Sequence, residues 1–171
     1  MRRIVASVFA LCLLSPVAFA QVLAGSPEDK MVRRIAAENV AETKLAIVTE
    51  FERQFPRSRA LPEVYMMAIE VYREKNDRAN IIEFGEKILK VDDGNVTALM
   101  VLARNYAMGG KNLDRAVELA KRAVDRIETM KTQQAPPQLT ESQWKEYLAR
   151  TDGAARGIFD YAKALSDAAH Q

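Results

Sequence analysis

Apolar residues recur at spacings of three and four along most of the chain, which is the period of an amphipathic helix. Between Pro27 and Phe55 these positions form one stripe, and no Gly or Pro interrupts it. The pattern predicts a single long helix that starts at Ser26 and Pro27 and that Pro56 ends. The stripe consists of Val32, Ile35, Ala36, Val40, Ile47, Val48, Phe51 and Phe55.

Clusters of turn-forming residues divide the rest of the chain into shorter helices. The predicted helices cover 62–75, 78–91, 96–108, 112–130 and a last stretch from 140 onward. Thr140 and Gln143 match a capping box, in which each side chain bonds the backbone of the other residue. No segment shows the apolar–polar alternation of a strand. The sequence therefore predicts an all-α fold of about six helices with long flanking helices.

Two of the predicted helical hairpins repeat one another. When the block that starts at Pro62 is laid over the block that starts at Val96, apolar and small residues recur in register. The matched pairs are Tyr65 with Leu99, Ala68 with Leu102, Ile69 with Ala103, Tyr72 with Tyr106, Ile81 with Ala116, Gly85 with Ala120 and Ile88 with Ala123. Small residues let neighbouring helices approach closely, and we expect the tyrosines to fill the gaps between repeats.

This register resembles the tetratricopeptide-repeat family, whose motif is a helical hairpin of about 34 residues. Seven positions carry the resemblance, and it implies that their side chains pack the repeats together. They are Tyr72, Leu102, Ala103, Tyr106, Ala116, Ala120 and Ala123. The first block departs from the motif, because Ile81 and Ile88 replace small residues and Asp93 stands where a turn proline is usual. Residues 51–58 are similar to the repeat endings of periplasmic proteins that serve outer-membrane assembly. The resemblance implies a solenoid of stacked hairpins.

The same resemblance implies a concave groove, lined by the first helix of each hairpin, that receives a peptide or helix. Mapped by motif position, its residues are Met66, Glu70, Arg73, Met100, Arg104 and Met108. Methionine is adaptable and suits a partly apolar binding surface. These methionines equally suit packing against the flanking helices as part of the core. A receptor for a C-terminal carboxylate is disfavoured, because Met66 and Met100 stand where it needs polar residues.

Residues 1–20 have the pattern of a signal peptide. Arg2 and Arg3 precede an apolar run over 4–14, and Ala18 and Ala20 provide the small residues that signal peptidase requires. The run is far shorter than the ~20 residues that span a bilayer. We therefore expect cleavage after Ala20, export to the periplasm or medium of a Gram-negative-type bacterium, and no stable membrane insertion afterwards.

Removal of this leader changes the chemistry that the chain can support. Without Arg2 and Arg3, 23 of the 25 basic residues remain and balance the 23 acidic residues, so a nucleic-acid partner is not indicated. The leader also contains Cys12, the one cysteine, and the one histidine is His170 near the C-terminus. We therefore expect no thiol chemistry, no metal site, no cofactor and no catalysis.

The pattern divides the chain into five segments. They are the leader at 1–20, a linker and long helix at 21–61 that serves as a cap or partial repeat, two hairpins at 62–130, a proline-containing linker at 131–139, and a C-terminal helix at 140–171 that serves as a cap or half repeat. That last helix has no partner helix after it, which fits a terminal cap, self-association or a truncated gene model.

Three functions fit these features. The first is a non-catalytic adaptor of the cell envelope that holds a protein or peptide partner. The second is a structural protein whose open repeat ends stack into a homo-oligomer. The third is the repeat module of a longer envelope enzyme.

Overall fold

The computed structural model describes residues 24–171. The predicted leader and Cys12 lie outside the described residues. Within 24–171 the chain forms seven α-helices and no strand, which confirms the all-α prediction. The helices are α1 (Pro27–Ala37), α2 (Ala41–Gln54), α3 (Leu61–Glu74), α4 (Arg78–Val91), α5 (Val96–Gly109), α6 (Leu113–Lys131) and α7 (Glu141–Ala169).

Consecutive helices pack against one another as antiparallel hairpins. The chain pairs α1 with α2, α3 with α4 and α5 with α6, and α7 packs against both α5 and α6. The bounds of α3 to α6 lie within one residue of the positions that the sequence predicts. Helical periodicity and turn chemistry both change sharply at these boundaries, which is why they could be located.

The prediction of one long first helix is wrong, because the chain turns at Glu38–Val40 between α1 and α2. Glu38 has an extended backbone, and its Oε1 accepts hydrogen bonds from the N–H groups of Asn39 at 2.9 Å and Val40 at 2.8 Å. A side chain thus supplies partners to backbone groups, and no Gly or Pro is needed. The turn folds α1 back against α2 and α3, so that Ile35 is completely buried. The apolar spacing continues through the turn because both helices face one core.

Small side chains allow the second hairpin to pack closely. The predicted packing residues Leu102, Ala103, Ala116, Ala120 and Ala123 are all 0% exposed. The two tyrosines of the repeat are half-buried and have different partners. Tyr72 packs on Phe84 of its own hairpin, with ring centroids 5.4 Å apart, whereas the Tyr106 hydroxyl donates to Glu86 of the preceding hairpin at 3.1 Å. Of these two tyrosines, Tyr106 is the one whose hydrogen bond, among the described residues, joins the two hairpins.

The long helix α7 starts with the predicted capping box. The Gln143 N–H donates to Thr140 Oγ1 at 3.2 Å, and the Thr140 N–H donates to Gln143 Oε1 at 2.9 Å. Its 29 residues extend about 43 Å at 1.5 Å per residue. Trp144, Leu148 and Ala155 are buried on the side that faces the hairpins. In the described part of the chain, no helix combines the length and the apolar character needed to cross a membrane.

Four charged side chains join α6 to α7. Lys131 Nζ lies 2.9 Å from Asp152 Oδ2 and 3.0 Å from Glu128 Oε1. Arg156 closes the ring, since its Nε bonds Asp152 at 3.0 Å and its guanidinium also contacts Glu128. The Asp152 side chain is only 17% exposed. Its hydrogen bonds, first to Lys131 and then to Arg156, lower its pKa below the ordinary value of an aspartate.

Asp152→Asn is expected to lower the free energy of unfolding by about 1 kcal/mol or less near neutral pH, the scale of a partly exposed ion-pair network. A lowered folded-state pKa stabilises the fold above the unfolded-state value of about 4, and that stabilisation is lost as the pH falls through the folded pKa. Urea unfolding at about pH 7 and pH 3 measures the difference.

Asp160→Asn is the matched control, because Asp160 is exposed on the same helix and is not in an ion pair within 4.0 Å in the described region. An equal loss of stability in both variants would contradict the role of the network, as would a loss that persists undiminished in acid.

Candidate binding groove along α5

One face of α5 is only partly covered by neighbouring helices and forms part of an open groove. Its residues recur at helical spacing and are Thr97, Met100, Val101, Arg104, Asn105 and Met108. The other faces of the helix are occupied, since Leu99, Leu102 and Ala103 are buried in the core. The groove face runs from the first turn of α5 to its last, a distance of about 16 Å at 1.5 Å per residue.

The remaining lining of this groove comes from two other parts of the chain. It consists of Arg73 near the end of α3, Asn76 in the turn after it, Arg78 and Ile81 at the start of α4, and Thr151 and Ile158 on α7. The volume of the open groove is about 570 Å³. Binding sites for small molecules commonly have about 300–1,000 Å³, so a short stretch of polypeptide fits the space.

The turn between α3 and α4 holds Arg78 in position at the groove. Asn76 has a φ of 53°, in the left-handed region that asparagine adopts more readily than most residues. Asp77 then caps α4, because its carboxylate accepts from the Asn80 side chain at 2.6 Å and from the Asn80 N–H at 3.1 Å. These bonds, the side-chain bond first, lower the pKa of Asp77. The cap therefore keeps its charge at neutral pH and anchors the first turn of α4.

All of the formal charge on the groove lining is positive. Arg73, Arg78 and Arg104 line the groove, and no carboxylate does. Arg73 contacts Glu70 of its own helix at 3.0 Å, in a pair more than half exposed on both sides, which is a weak interaction. Among residues 24–171, neither Arg78 nor Arg104 has a carboxylate within 4.0 Å. The lining thus combines apolar side chains with guanidinium groups that a ligand can reach.

The Arg78 side chain marks one end of the groove. Its Nη1 lies 3.7 Å from the point that a Cβ would occupy on Gly109, the last residue of α5. Arg104 lies between Met100 and Met108 on the groove face of α5. The two arginines are therefore placed along the groove rather than at one point.

The structure brings together four of the six groove residues that the repeat resemblance implies. Arg73, Met100, Arg104 and Met108 all line the groove. Met66 and Glu70 do not line it, because Met66 is half-buried against the core and Glu70 is the partner of Arg73. Met100 also packs partly against the core, whereas Met108 is 48% exposed. Met100 therefore lies at the border between the core and the groove.

Several residues of the lining were missed at the sequence level. Thr97, Val101 and Asn105 share a helical face with the predicted α5 residues, so their helical spacing could have identified them as part of the lining. Thr151 and Ile158 carried no such signal. Their place in the lining depends on how α7 folds back on α5, which no local pattern describes.

A serine, an aspartate and a histidine meet where the end of α7 contacts the start of α6. Ser166 Oγ donates to Asp114 Oδ1 at 2.8 Å, and His170 Nε2 lies 4.0 Å from Asp114 Oδ2. A nucleophilic serine must give its proton to the histidine. Here His170 Nδ1 lies 2.7 Å from the Ser166 carbonyl oxygen, so the histidine bonds backbone. The cluster ties two helix ends together and lacks the geometry of a nucleophile with its base.

Within residues 24–171, no group of three or more His, Cys, Asp or Glu side chains is placed to hold a metal ion. The chain matches no protein-family model, and no curated protein matches it significantly.

Proposed function

We propose that this protein is a non-catalytic scaffold that binds a polypeptide partner in the groove along α5. The observation that carries the proposal is the lining of the groove. It places Met100, Val101, Met108 and Ile158 beside three arginines. Apolar surface with a few placed polar groups is the usual composition of a binding site. Arginine and methionine are also enriched where proteins bind one another.

The setting of the proposed scaffold is the cell envelope. The leader pattern at 1–20 supports export, and the tetratricopeptide-like register of α3 to α6 supports a repeat protein that binds its partner along its first helices. In this proposal the packed hairpins hold α5 in place, and α5 supplies the surface that contacts the partner. The partner is a protein or peptide of the periplasm.

Met100→Glu combined with Arg104→Glu is expected to abolish capture of the partner. The first change puts a charge on the apolar part of the lining, and the second reverses the charge beside it, so both contacts are lost or become repulsive. The measurement is crosslinking and affinity capture from the host, using the chain from residue 21 onward, followed by mass spectrometry.

The control is Leu139→Glu with Lys145→Glu, which makes the same change in charge at exposed positions outside the groove. Circular dichroism checks that both variants keep their helices. A partner that the groove variant still captures would place the binding face elsewhere. Light scattering addresses the structural alternative: a mass that rises with concentration and falls in the groove variant would show that the groove binds a second copy of the chain.

A further inference from the structure

We propose that the groove along α5 takes an extended, acidic segment of polypeptide whose carboxylates bind Arg78 and Arg104 and whose apolar side chain packs on Met100 and Ile158. The inference rests on the proposed function and gives the partner a chemical class. It follows from the charge of the lining, because three arginines and no carboxylate line the groove.

The charge of the groove contrasts with the rest of the chain. From residue 21 onward the chain has 23 basic and 23 acidic residues, so the groove concentrates positive charge in an otherwise neutral protein. Elsewhere many cations are already paired, as Lys131 and Arg156 are with Asp152. Arg78 and Arg104 lie more than 4.0 Å from any carboxylate of the described chain, so their donors remain open to a ligand. Guanidinium groups bind carboxylates through charge-assisted, often bidentate, hydrogen bonds.

The length of the groove fits a short extended peptide. The groove face of α5 covers about 16 Å. An extended chain rises about 3.3 Å per residue, so about five residues span it. Successive side chains of an extended segment point to opposite sides, so alternate residues can meet the apolar and the charged parts of the lining.

The same chemistry disfavours a nucleic acid as the occupant. Proteins that bind single strands stack bases on aromatic rings, and no Phe, Tyr or Trp is among the residues of this lining. Val101 and Ile158, which are partly exposed, instead offer aliphatic surface, which suits a Leu or Val of a peptide. An acidic peptide with one apolar side chain satisfies both parts of the groove.

The test uses fluorescence anisotropy with the chain from residue 21 onward and three labelled, C-terminally amidated peptides. They are Glu-Asp-Leu-Asp-Glu, its neutral counterpart Gln-Asn-Leu-Asn-Gln, and the basic Lys-Arg-Leu-Arg-Lys. Amidation removes the terminal carboxylate, so only side-chain carboxylates are compared. The acidic peptide is expected to bind at least about tenfold more tightly than the neutral one, and to lose this advantage at about 1 M salt.

Two charge-reversed variants complete the experiment. Arg78→Glu with Arg104→Glu is expected to reverse the preference, so that the basic peptide binds best. Lys145→Glu with Arg150→Glu changes the same number of charges at exposed sites outside the lining and should keep the preference for the acidic peptide. Helicity measured by circular dichroism confirms that each variant is folded.

Other results would overturn the inference. Equal affinity for the acidic and neutral peptides, with both lost in Met100→Glu and Arg104→Glu, would overturn the acidic preference while supporting a polypeptide groove. Absence of binding by all three peptides would overturn the acidic-segment proposal, and the capture experiment with the groove variant would then decide the proposed function separately. Tighter binding of a single-stranded oligothymidylate than of the acidic peptide would assign the groove to nucleic acid.

Discussion

Phe51→Ala should lower the free energy of unfolding by about 3–5 kcal/mol, the usual cost of deleting a fully buried phenylalanine ring. Phe51 is 0% exposed on α2, and its ring centroid lies 5.1 Å from that of Phe55. It belongs to the same apolar core as residues of α3 to α7, so its loss is expected to weaken the whole fold. Since domains of this size are stable by about 5–15 kcal/mol, the change is a large fraction of the total.

Urea unfolding followed by circular dichroism measures the effect of this substitution. Tyr161→Ala is the matched control, because Tyr161 is an aromatic residue that is 47% exposed on α7. We expect its free energy of unfolding to change by about 0.5 kcal/mol or less. A first transition that removes only the N-terminal hairpin, followed by a second of unchanged midpoint, would show that α1 and α2 do not share the stability of the remaining helices.

Gly85→Val is expected to destabilise the fold by about 3 kcal/mol, at the upper end of what an overpacked core costs. Gly85 lies in the middle of α4, where a Cβ would come within 2.8 Å of both Cγ and Cδ2 of Leu102 on α5. Leu102 is 0% exposed, so it cannot move aside without displacing its own neighbours. A larger residue at 85 therefore forces α4 and α5 apart.

Gly157→Val provides the control for this second prediction. Gly157 also lies within a helix, but a Cβ there would meet nothing within 4 Å. Valine has a somewhat better helix propensity than glycine, so the control variant is expected to be equal to or slightly more stable than the wild type. The measurement is the thermal midpoint and urea unfolding of both variants. Similar destabilisation at both positions would show that the contact between Gly85 and Leu102 is not the cause.

Gly85 also shows how much of the packing could be predicted from the sequence. The repeat alignment matches Gly85 with Ala120, and both are buried where two helices approach closely. The alignment identified a position that requires a small residue, because that requirement recurs in both hairpins. It did not identify Leu102 as the side chain that would collide, since that contact depends on how α4 and α5 are packed.

The first helix shows where periodicity fails. The apolar residues of 27–55 keep a helical spacing across Glu38–Val40, yet the chain turns there. The turn depends on a side-chain carboxylate that bonds two backbone N–H groups, and it is favoured because it buries Ile35. The burial of Ile35 stabilises the turn only when the helices have packed into the core. The local apolar spacing therefore could not predict the turn.

The candidate groove was predictable in part for the same reasons. Met100, Arg104 and Met108 lie on one face of one helix, which spacing and the repeat register could identify. Arg78 comes from a different helix, and no sequence pattern around it indicates a place in the groove. In the structure its guanidinium lies against the end of α5. The positive charge of the groove is thus a property of three helices combined.

The sequence by itself determined the helical class, the bounds of α3 to α6 and the small residues between the paired helices, because these depend on local propensity, turn chemistry and a period that repeats. Only the tertiary structure decided that α1 folds back on α2 and that α7 packs on α5 and α6. It also decided that Arg73, Arg78 and Arg104 line one groove whose lining contains no carboxylate. Those features depend on contacts between residues far apart in the chain. At such contacts, burial and packing outweigh the local conformational preferences of the residues.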